Sequence, residues 1–440
     1  MDARMRRRGR SPYSPWLALM AAGVIIAGCA GVSGGAPTPT RGPTEATMTP
    51  VPAPFPGPAT AASTTPARTP MAGPAPASAP TPLTHVVEPG DSLWKIAQRY
   101  HVPPLTLIAV NPQFPVPSLI HPGDEVWIPR VAMNVSSMGR PTRGTLVLTR
   151  SLTLTADHRG NVVIRGSDVT LDCAGHVVRG SGLDTEGILV EGGSNVTVKR
   201  CIVSGFGRNG LLGNGTGLRL EANWFVGNGN HGAHVDSHGG RVTGNTSRRN
   251  GPERPTIGIV ATGSTNLTIW ANIVEGNAWA GIALLDGTTR STVTGNTALR
   301  DGLGFDLDDA DGNTLTGNTA TQNDHGFTVK ASSGNLLEGN TANRNRYHGF
   351  SLHTGCSANT LSANTANGNW DGFTVDGCDG NVLTSNTANT NAHVGFLVGE
   401  GSSNNTLSYN TGLNSGETDA VDGGSGNSWV ENTFGTWYGF

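Results

Sequence analysis

The stretch NTLTGNTATQNDHGFTVK, residues 313–330, returns three more times along the chain. NLLEGNTANRNRYHGFSLH begins at residue 335, NTLSANTANGNWDGFTVD at 359 and NVLTSNTANTNAHVGFLVG at 381. Counted by the Asn of GNT, the repeat extends further, with spacings of 22 to 27 residues, through Asn223, Asn245, Asn272, Asn296, Asn318, Asn340, Asn364, Asn386, Asn410 and Asn432. A repeat of this length indicates stacked supersecondary units.

Within each unit the apolar residues alternate with polar ones. In HGFTVK, Phe327 and Val329 are apolar while Thr328 and Lys330 are polar, which is the period of a strand. Short strands, Gly and Asn turns and one circuit per unit predict a mainly β protein. Residues 143–440 are expected to form a right-handed parallel β-helix of about twelve coils of 22–27 residues, with rungs ~4.8 Å apart.

Residues that recur once per coil are expected to form ladders along the axis. The marker Asn forms one ladder, and a second lies five residues on, at Asn228, Asn250, Asn277, Asp301, Asn323, Asn345, Asn369 and Asn391. An inward aromatic row follows at Phe305, Phe327, Phe350, Phe373 and Phe396.

Four cysteines fall inside the repeat region. Cys356 and Cys378 occupy the same position on successive coils, so their Cα atoms are expected ~5 Å apart, within disulfide range. Cys173 and Cys201 are a second candidate pair, and four buried thiols are the alternative.

The opening VVIRGSDVTLDCAGHVVRG, residues 162–180, and the repeats that follow resemble the right-handed β-helix families of NosD-type periplasmic proteins and pectate-lyase-like carbohydrate enzymes. This resemblance implies a scaffold, and a scaffold does not by itself transfer a function.

Candidate catalytic residues lie at outward positions that differ between the copies. Alternation predicts that the second and fourth residues after the Gly of each GF pair are exposed, which brings together Asp306, Asp308, Lys330, His353 and Asp376. Just before the Gly, the same coils carry His325, His348 and Asp371.

Two kinds of chemistry fit this cluster, and neither is required by it. Asp306, Asp308 and Asp309 could hold Ca²⁺ as a cofactor, with Lys330 as the base of a polysaccharide lyase, as in some pectate-lyase-like enzymes. A glycoside hydrolase would instead pair Asp308 with Asp306 or Asp309. The other interpretation is a charged, solvated face on a non-catalytic NosD-like accessory protein or scaffold.

A second group of metal-ligand residue types lies in NGNHGAHVDSHGG, residues 228–240. It contains His231, His234, Asp236 and His238 on an adjacent strand and turn, a spacing that could hold Zn²⁺ or Cu²⁺. Histidines in such loops more often cap turns.

The N-terminus carries the features of an export signal. A basic start and an apolar run too short to span a bilayer end at Cys29, and residues 1–29 resemble a lipoprotein signal peptide with its lipobox. This resemblance implies that acyl chains on Cys29 anchor the protein to a membrane. An ordinary signal peptide is the alternative. Residues 30–83, rich in Pro, Thr and Ala, are predicted to be a disordered linker.

Residues 84–130 have a different composition and predict a small α+β domain. A strand over 85–88, helices from about 92 and over 104–110, and a strand over 125–128 give a β-α-α-β order. With the motifs PGDSLWKIA, NP and HPGDEVWIP, this segment resembles the LysM module. The resemblance implies binding of N-acetylglucosamine-containing glycan, usually peptidoglycan, in a groove lined by Gly90, Asp91, Ser92, Leu93, Asn111, Pro112, Leu119 and Ile120.

Composition argues against a partner held by charge. The net charge is −3, charged residues make up 14% of the chain, and no basic stripe lies beyond the N-terminus, so we do not expect nucleic-acid binding. The sequence therefore predicts an envelope-anchored protein, periplasmic or at the cell surface, that binds peptidoglycan. Its β-helix is expected to bind and could process a polysaccharide, including an acidic one.

Overall fold

The computed structural model describes residues 83–88, 91, 93–100, 107, 111, 120–128, 142–182, 184–251 and 255–439. The expected signal segment with Cys29, and all of the expected linker except Leu83, lie outside the described residues. Among the described residues, no helix is both long enough and apolar enough to cross a membrane.

The small N-terminal domain pairs two antiparallel strands, Leu83–Val86 and Glu125–Ile128, with the helix Leu93–Arg99. Its core consists of Val87, Leu93, Ile96, Leu107, Val126 and Ile128. Of the second expected helix, only Leu107 belongs to the described residues, where it is helical and fully buried.

The described residues from 142 to 439 form a right-handed parallel β-helix of about twelve turns, as the repeat predicts. Three sheets run its length. The first, here the long-strand sheet, contains Leu146–Leu148, Val162–Ile164, Ile188–Val190, Leu211–Thr216, Ala233–His238, Ile257–Thr262, Ala280–Leu285, Leu303–Asp308, His325–Lys330, His348–His353, Asp371–Asp376, Val394–Val398, Thr418–Asp422 and Trp437–Gly439.

The other two sheets consist of strands of two or three residues. The second sheet contains Leu152–Thr153, Thr170–Asp172, Thr197–Lys199, Arg219–Glu221, Arg241–Thr243, Thr268–Trp270, Thr292–Thr294, Thr314–Thr316, Leu336–Glu338, Thr360–Ser362, Val382–Thr384, Thr406–Ser408 and Ser428–Val430. The third contains Thr142–Arg143, His158–Arg159, Val177–Arg179, Ile202–Ser204, Trp224–Val226, Thr246–Arg248, Ile273–Glu275, Thr297–Leu299, Thr319–Thr321, Thr341–Asn343, and, after single bridges through Thr365, Thr387–Asn389, Thr411–Leu413 and Thr433–Phe434.

The marker Asn holds the corner between the second and third sheets, which confirms the first ladder. The backbone N–H and Nδ2 of Asn340 both donate to Oδ1 of Asn364, at 2.8 and 3.0 Å, and Nδ2 also donates to the carbonyl of Leu315 at 2.9 Å. The residue before each marker Asn has positive φ, 61° at Gly317 and 53° at Ala363, which explains the frequent Gly of GNT. Buried amides are thus satisfied coil by coil.

The second ladder and the aromatic row are also confirmed. Asn323 donates from N and Nδ2 to Oδ1 of Asn345, and the same bonds recur along this corner. The five Phe rings stack inside the helix with centroids 4.6 to 4.9 Å apart and interplanar angles of 3° to 6°. This spacing equals the rise between rungs, so the row follows directly from the repeat.

Both cysteine pairs are disulfides that join successive coils. The Cα atoms lie 4.7 Å apart in Cys173–Cys201 and 4.9 Å apart in Cys356–Cys378. Each bond therefore links one coil to the next inside the core, where all four residues are fully buried.

Candidate functional site

Three columns of outward side chains form a groove on the long-strand sheet, parallel to the helix axis. Its floor is the column Asp306, Thr328, Ser351 and Thr374, which are paired in register and only 6 to 8% exposed. One wall contains Leu303, His325, His348 and Asp371. The other contains Asp308, Lys330, His353 and Asp376.

The expected exposure of both outward positions is wrong for the floor. Asp306 is 6% exposed, whereas the side chains of Asp308 and Lys330 are 37% and 41% exposed. Floor residues point outward, but the longer side chains of the two neighbouring columns cover them. The five candidate catalytic residues nevertheless share one face, as the alternation predicts.

Asp306 is a carboxyl with a strongly perturbed environment. Burial raises its pKa to about 7, and the charge of Asp308 acts in the same direction. A hydrogen bond from the Trp279 side chain and the ammonium of Lys330 partly oppose this rise. Asp306 is therefore protonated in a large fraction of molecules at neutral pH.

Lys330 and Asp308 form an ion pair across adjacent coils, with Nζ 2.7 Å from Oδ2. An ammonium that donates to a carboxylate already carries the proton that a catalytic base must accept. Lys330 would have to leave this pair before it could abstract a proton.

The other wall ends in a His–Asp–His cluster. The carboxylate of Asp371 lies 2.7 Å from Nδ1 of His393 and 3.2 Å from Nδ1 of His348. Burial acts to raise the pKa of Asp371, but the bonds from both imidazoles hold it below its ordinary value. Burial lowers the pKa of His325 to about 4 and also lowers that of His353, so both imidazoles are neutral at pH 7.

An aromatic edge borders this wall at the turn into the long-strand sheet. Tyr347, Trp370 and His393 follow one another on successive coils, joined by backbone hydrogen bonds of 2.8 Å. The Trp370 and His393 rings stack with centroids 5.3 Å apart and an interplanar angle of 20°. Trp370 is 50% exposed and Tyr347 is 40% exposed, and Trp279 lies in the same column nearer the N-terminus.

The groove floor contains a hydroxyl without a partner. Oγ1 of Thr328 is buried and makes no hydrogen bond to any of the described residues. Such a group is a candidate contact for a ligand that lies along the floor. Towards the N-terminus the floor becomes apolar at Ala283 and Val260, which pack with Ile257 and Ala280.

Metal ligands are not assembled here. Within the described ranges, no group of three His, Cys, Asp or Glu side chains is placed to hold a metal. Of the three expected calcium ligands, Asp308 is paired with Lys330 and Asp306 is largely buried, while Asp309 lies at the turn that follows, with φ of 54°.

The second histidine group is engaged within the protein. Nδ1 of His231 accepts a hydrogen bond from the backbone N–H of Ile257, and Nε2 of His234 lies 2.8 Å from the Thr262 hydroxyl. Burial lowers the pKa of His231 to about 4. These bonds support the interpretation of these histidines as packing and turn residues.

A shallow depression of about 330 Å³ lies near Trp279, on the side away from the groove floor. It is lined by Gly276, Asn277, Ala278, Arg300, Asp301, Gly302, Gln322 and Asp324. The depression lies at Gly302, which has no side chain and which lies between Trp279 and Asp324 in the column of the aromatic edge. None of the five candidate catalytic residues lines it.

In the small domain, four of the eight expected groove residues lie outside the described residues: Gly90, Ser92, Pro112 and Leu119. Of the others, Leu93 and Asn111 are buried, and Ile120 packs against the core. The Asp91 carboxylate lies 2.8 Å from Nε2 of His85 and accepts from the N–H of Glu88. These contacts hold the loop that precedes the helix Leu93–Arg99.

The sequence model of a family described as "Periplasmic copper-binding protein (NosD)" matches residues 159–337 and 301–438, well over half of the chain. The chain belongs to the NosD family. A second model, described as "LysM domain", matches residues 85–129. No curated protein matches the chain.

Solved structures resemble this NosD-family chain in fold. The periplasmic alginate epimerase AlgG is 12% identical, with 66% of this chain and 84% of that one covered and a TM-score of 0.55. The DFA-IIIase from Arthrobacter chlorophenolicus A6 is 14% identical (57% and 71% covered, TM-score 0.41), and the Dettilon tailspike protein is 18% identical (66% and 61% covered, TM-score 0.41). At these identities, the likeness to AlgG shows the fold alone.

Copper, which the NosD family description names, does not fit the residues described here. All four cysteines of the β-helix are in disulfides, and no three potential ligands converge within the described ranges. His231 and His234 are held by Ile257 and Thr262. We therefore derive no chemistry through copper.

Sequence reasoning missed two features of this site. The hydroxyls of Thr328, Ser351 and Thr374 form the groove floor, although as single letters they look like ordinary strand residues. The aromatic edge was detectable, because Tyr347 and Trp370 occupy the same position before the GF pair in successive copies.

Proposed function

We propose that this protein is an exported glycan-binding protein with two binding elements. Its LysM domain binds N-acetylglucosamine-containing glycan, in particular peptidoglycan, and the groove of its β-helix binds a polysaccharide chain. The observation that carries the second part is the aromatic edge beside a polar floor. Exposed rings at Tyr347 and Trp370 offer faces for sugar rings, and the floor hydroxyls offer hydrogen bonds.

Three observations support export and anchoring. The NosD family is described as periplasmic, and AlgG is a periplasmic enzyme. Two disulfides between coils fit an oxidising compartment. Together with the lipobox-like end of the leader, they support a protein anchored through acyl chains on Cys29.

The groove is tested with oligosaccharide arrays probed by the full chain and by Trp370→Ala. The matched control is Trp270→Ala, which removes a tryptophan of similar exposure, 53%, from the second sheet. We expect Trp370→Ala to weaken binding about tenfold and the control to leave it unchanged. Equal binding by all three proteins would show that the groove does not bind the glycan.

The LysM part is tested by sedimentation with purified peptidoglycan. The full chain should co-sediment, N-acetylglucosamine oligomers should compete, and deletion of residues 84–130 should abolish the retention. Retention that survives this deletion would place peptidoglycan binding elsewhere in the chain.

Glycoside hydrolysis is a second candidate function, favoured by the different environments of Asp306, which is buried, and Asp308, which is half-exposed and paired with Lys330. Asp306, with its pKa raised to about 7, would transfer its proton to the glycosidic oxygen as the bond to the anomeric carbon breaks. Asp308, which is paired with Lys330 at 2.7 Å, would either activate a water or attack the anomeric carbon. His353 and Asp376 would contact the sugar on the next coils.

Release of reducing ends from the bound glycan tests this candidate. Asp306→Asn should abolish the release while the glycan still binds, because the amide keeps the shape and loses the transferable proton. If the protein binds the glycan but releases no reducing ends, the non-catalytic scaffold is the remaining interpretation. The calcium-assisted lyase is less favoured, because its base is paired with Asp308 and its metal ligands are not assembled.

A further inference from the structure

Charge along the groove restricts which polysaccharide it can hold. Lys330 is the only Lys or Arg in the two walls, the floor and the aromatic edge between residues 279 and 417, and it is paired with Asp308 at 2.7 Å. Beyond the edge, Arg346 lies 3.8 Å from Asp324 and over the Tyr347 ring. The carboxylate of an acidic sugar would therefore find no free cation in the groove itself.

Carboxyl groups, by contrast, exceed the cations. Asp371 is ionised, Asp376 is exposed at the end of one wall, and the Glu417 side chain, 71% exposed, lies beyond the aromatic edge with Oε2 3.1 Å from Nε2 of His393. The imidazoles of His325 and His353 do not compensate these charges at pH 7, because burial lowers their pKa values. The C-terminal half of the groove is thus anionic.

The floor supplies an independent sign of a ligand. Thr328 is 6% exposed, its Oγ1 has no partner among the described residues, and it lies between Asp306 and Ser351 in the outward column. A sugar hydroxyl or amine that moved the covering side chains of the walls aside would satisfy this oxygen. Polar floor, aromatic edge and anionic end lie within six successive coils.

On the basis of the proposed glycan-binding function, we infer that the groove takes an amino-sugar polymer with free, protonated amino groups rather than a uronate polymer. Its ammonium groups would donate charge-assisted hydrogen bonds to the carboxylate of Asp376 on one wall or to that of Glu417 beyond the aromatic edge. Uronate carboxylates would meet like charge at the same positions, which excludes them by repulsion. Pyranose faces would stack on Trp370 and Tyr347.

The test compares three probes of equal length on the full chain: a glucosamine oligomer, its fully N-acetylated counterpart and a galacturonate oligomer. The variant is Asp376→Asn with Glu417→Gln, and Glu338→Gln, an exposed carboxylate on the second sheet, is the matched control. The LysM domain is identical in all of these proteins, so differences between them report the β-helix.

We expect the double variant to bind the glucosamine oligomer about tenfold more weakly and the N-acetylated oligomer within about twofold of the parent, since only charge-assisted contacts are lost. Added salt should weaken glucosamine binding by the parent protein, which tests the inference without any variant. Glu338→Gln should change nothing.

Two results would overturn the inference and leave the proposed function intact. One is binding of the galacturonate oligomer that equals glucosamine binding and is lost in Trp370→Ala. The other is glucosamine binding that is lost in Trp370→Ala but does not respond to salt or to the double variant. If Trp370→Ala changes the binding of none of the three probes, the groove itself fails as a glycan site, and both proposals fall.

Discussion

The carboxyl of Asp301 occupies a position in the second ladder at which its neighbours carry an amide, and it hydrogen-bonds to Asn277 as an amide would. Oδ1 accepts from N and Nδ2 of Asn277 at 2.7 and 3.0 Å. Oδ2 of Asp301 occupies the position that the amide nitrogen has on the neighbouring coil. A Cβ atom built on Gly281 would lie 2.8 Å from this Oδ2, just as a Cβ atom built on Gly258 would lie 2.8 Å from Nδ2 of Asn277. An amide nitrogen donates at this position, whereas an ionised Oδ2 cannot, and Oδ2 has no hydrogen-bond partner among the described residues.

Asp301→Asn should therefore stabilise the protein above pH 4. Burial raises the pKa of Asp301 to about 8, so the folded state keeps a proton that the unfolded state releases near pH 4. Stability from this group is complete below the unfolded pKa and is lost as pH rises towards 8. At pH 8 the variant should gain on the order of 5 kcal/mol of unfolding free energy, measured by urea unfolding between pH 4 and 8.

The reverse substitution supplies the control for Asp301. Asn345→Asp places a carboxyl at the same corner two coils on, and it should introduce a fall in stability with rising pH that the parent lacks there. A flat pH profile in Asn345→Asp, or an unchanged one in Asp301→Asn, would mean that these carboxyls ionise without cost in the folded protein.

Phe350→Ala should be among the most destabilising changes in the β-helix. Its ring stacks between those of Phe327 and Phe373, with centroids 4.7 and 4.8 Å away, and is fully buried. Removal of a buried ring leaves a cavity and costs about 3–5 kcal/mol of unfolding free energy. Phe350→Leu should cost distinctly less by the same denaturant measurement. Equal losses for the two variants would show that volume does not determine the cost.

Asn340→Ala should cost about 1–3 kcal/mol, because it removes the side-chain partner of two buried backbone groups on the preceding coil, the N–H of Asn318 and the carbonyl of Leu315. Asn432 is the last Asn of this ladder among the described residues, and it is only partly buried. Its Nδ2 donates to the Leu407 carbonyl, and within the described residues it makes no bond to a later rung. Asn432→Ala should therefore cost less, and thermal unfolding of the two variants compares them. An equal or larger loss for Asn432 would contradict the ladder as a coil-to-coil stabiliser.

Most of the fold could be predicted because each coil repeats the last. The period and alternation fix the strands, and stacking at ~4.8 Å then brings Phe305 to Phe327 and Cys356 to Cys378 without further information. A third ladder, Asn313, Asn335, Asn359, Asn381, Asn405 and Asn427, was missed. In the coil before Asn313, this position is occupied by Ser291, so the residue type is not constant along the ladder.

The burial of the groove residues and their ion-pair partners could not be predicted in the same way. Alternation places Asp306 on the outer face of the sheet. It cannot show how far the side chains of the neighbouring columns extend over Asp306, and that determines its burial. Asp308 was interpreted as a calcium ligand because two carboxylates share a strand. Its partner proved to be Lys330 of the next coil, since the two lie directly opposite in register.

Cys356→Ser with Cys378→Ser should cost about 2–4 kcal/mol of unfolding free energy, because the bond restricts the unfolded chain over a short loop. The residues are 22 apart and fully buried. Urea unfolding of the double variant, compared with the parent under non-reducing conditions, gives the difference. The parent in reductant should approach the variant. A variant as stable as the oxidised parent would refute the contribution of this disulfide.

Trp279→Phe should raise the pKa of Asp306 further above its value of about 7. Burial and the charge of Asp308 raise this pKa, whereas the hydrogen bond from the Trp279 side chain lowers it, and phenylalanine keeps the ring but donates nothing. NMR titration of the aspartate carboxyl carbons, with Asp306→Asn to assign the signal, measures the shift. Trp270→Phe on the second sheet is the matched control and should leave the signal in place.

A fall in the pKa of Asp306 would mean that water entering the space left by the smaller side chain solvates the carboxylate better than the indole does. If the protein hydrolyses its glycan, the alkaline limb of its pH profile should move upward with this pKa, because Asp306 acts there as the acid.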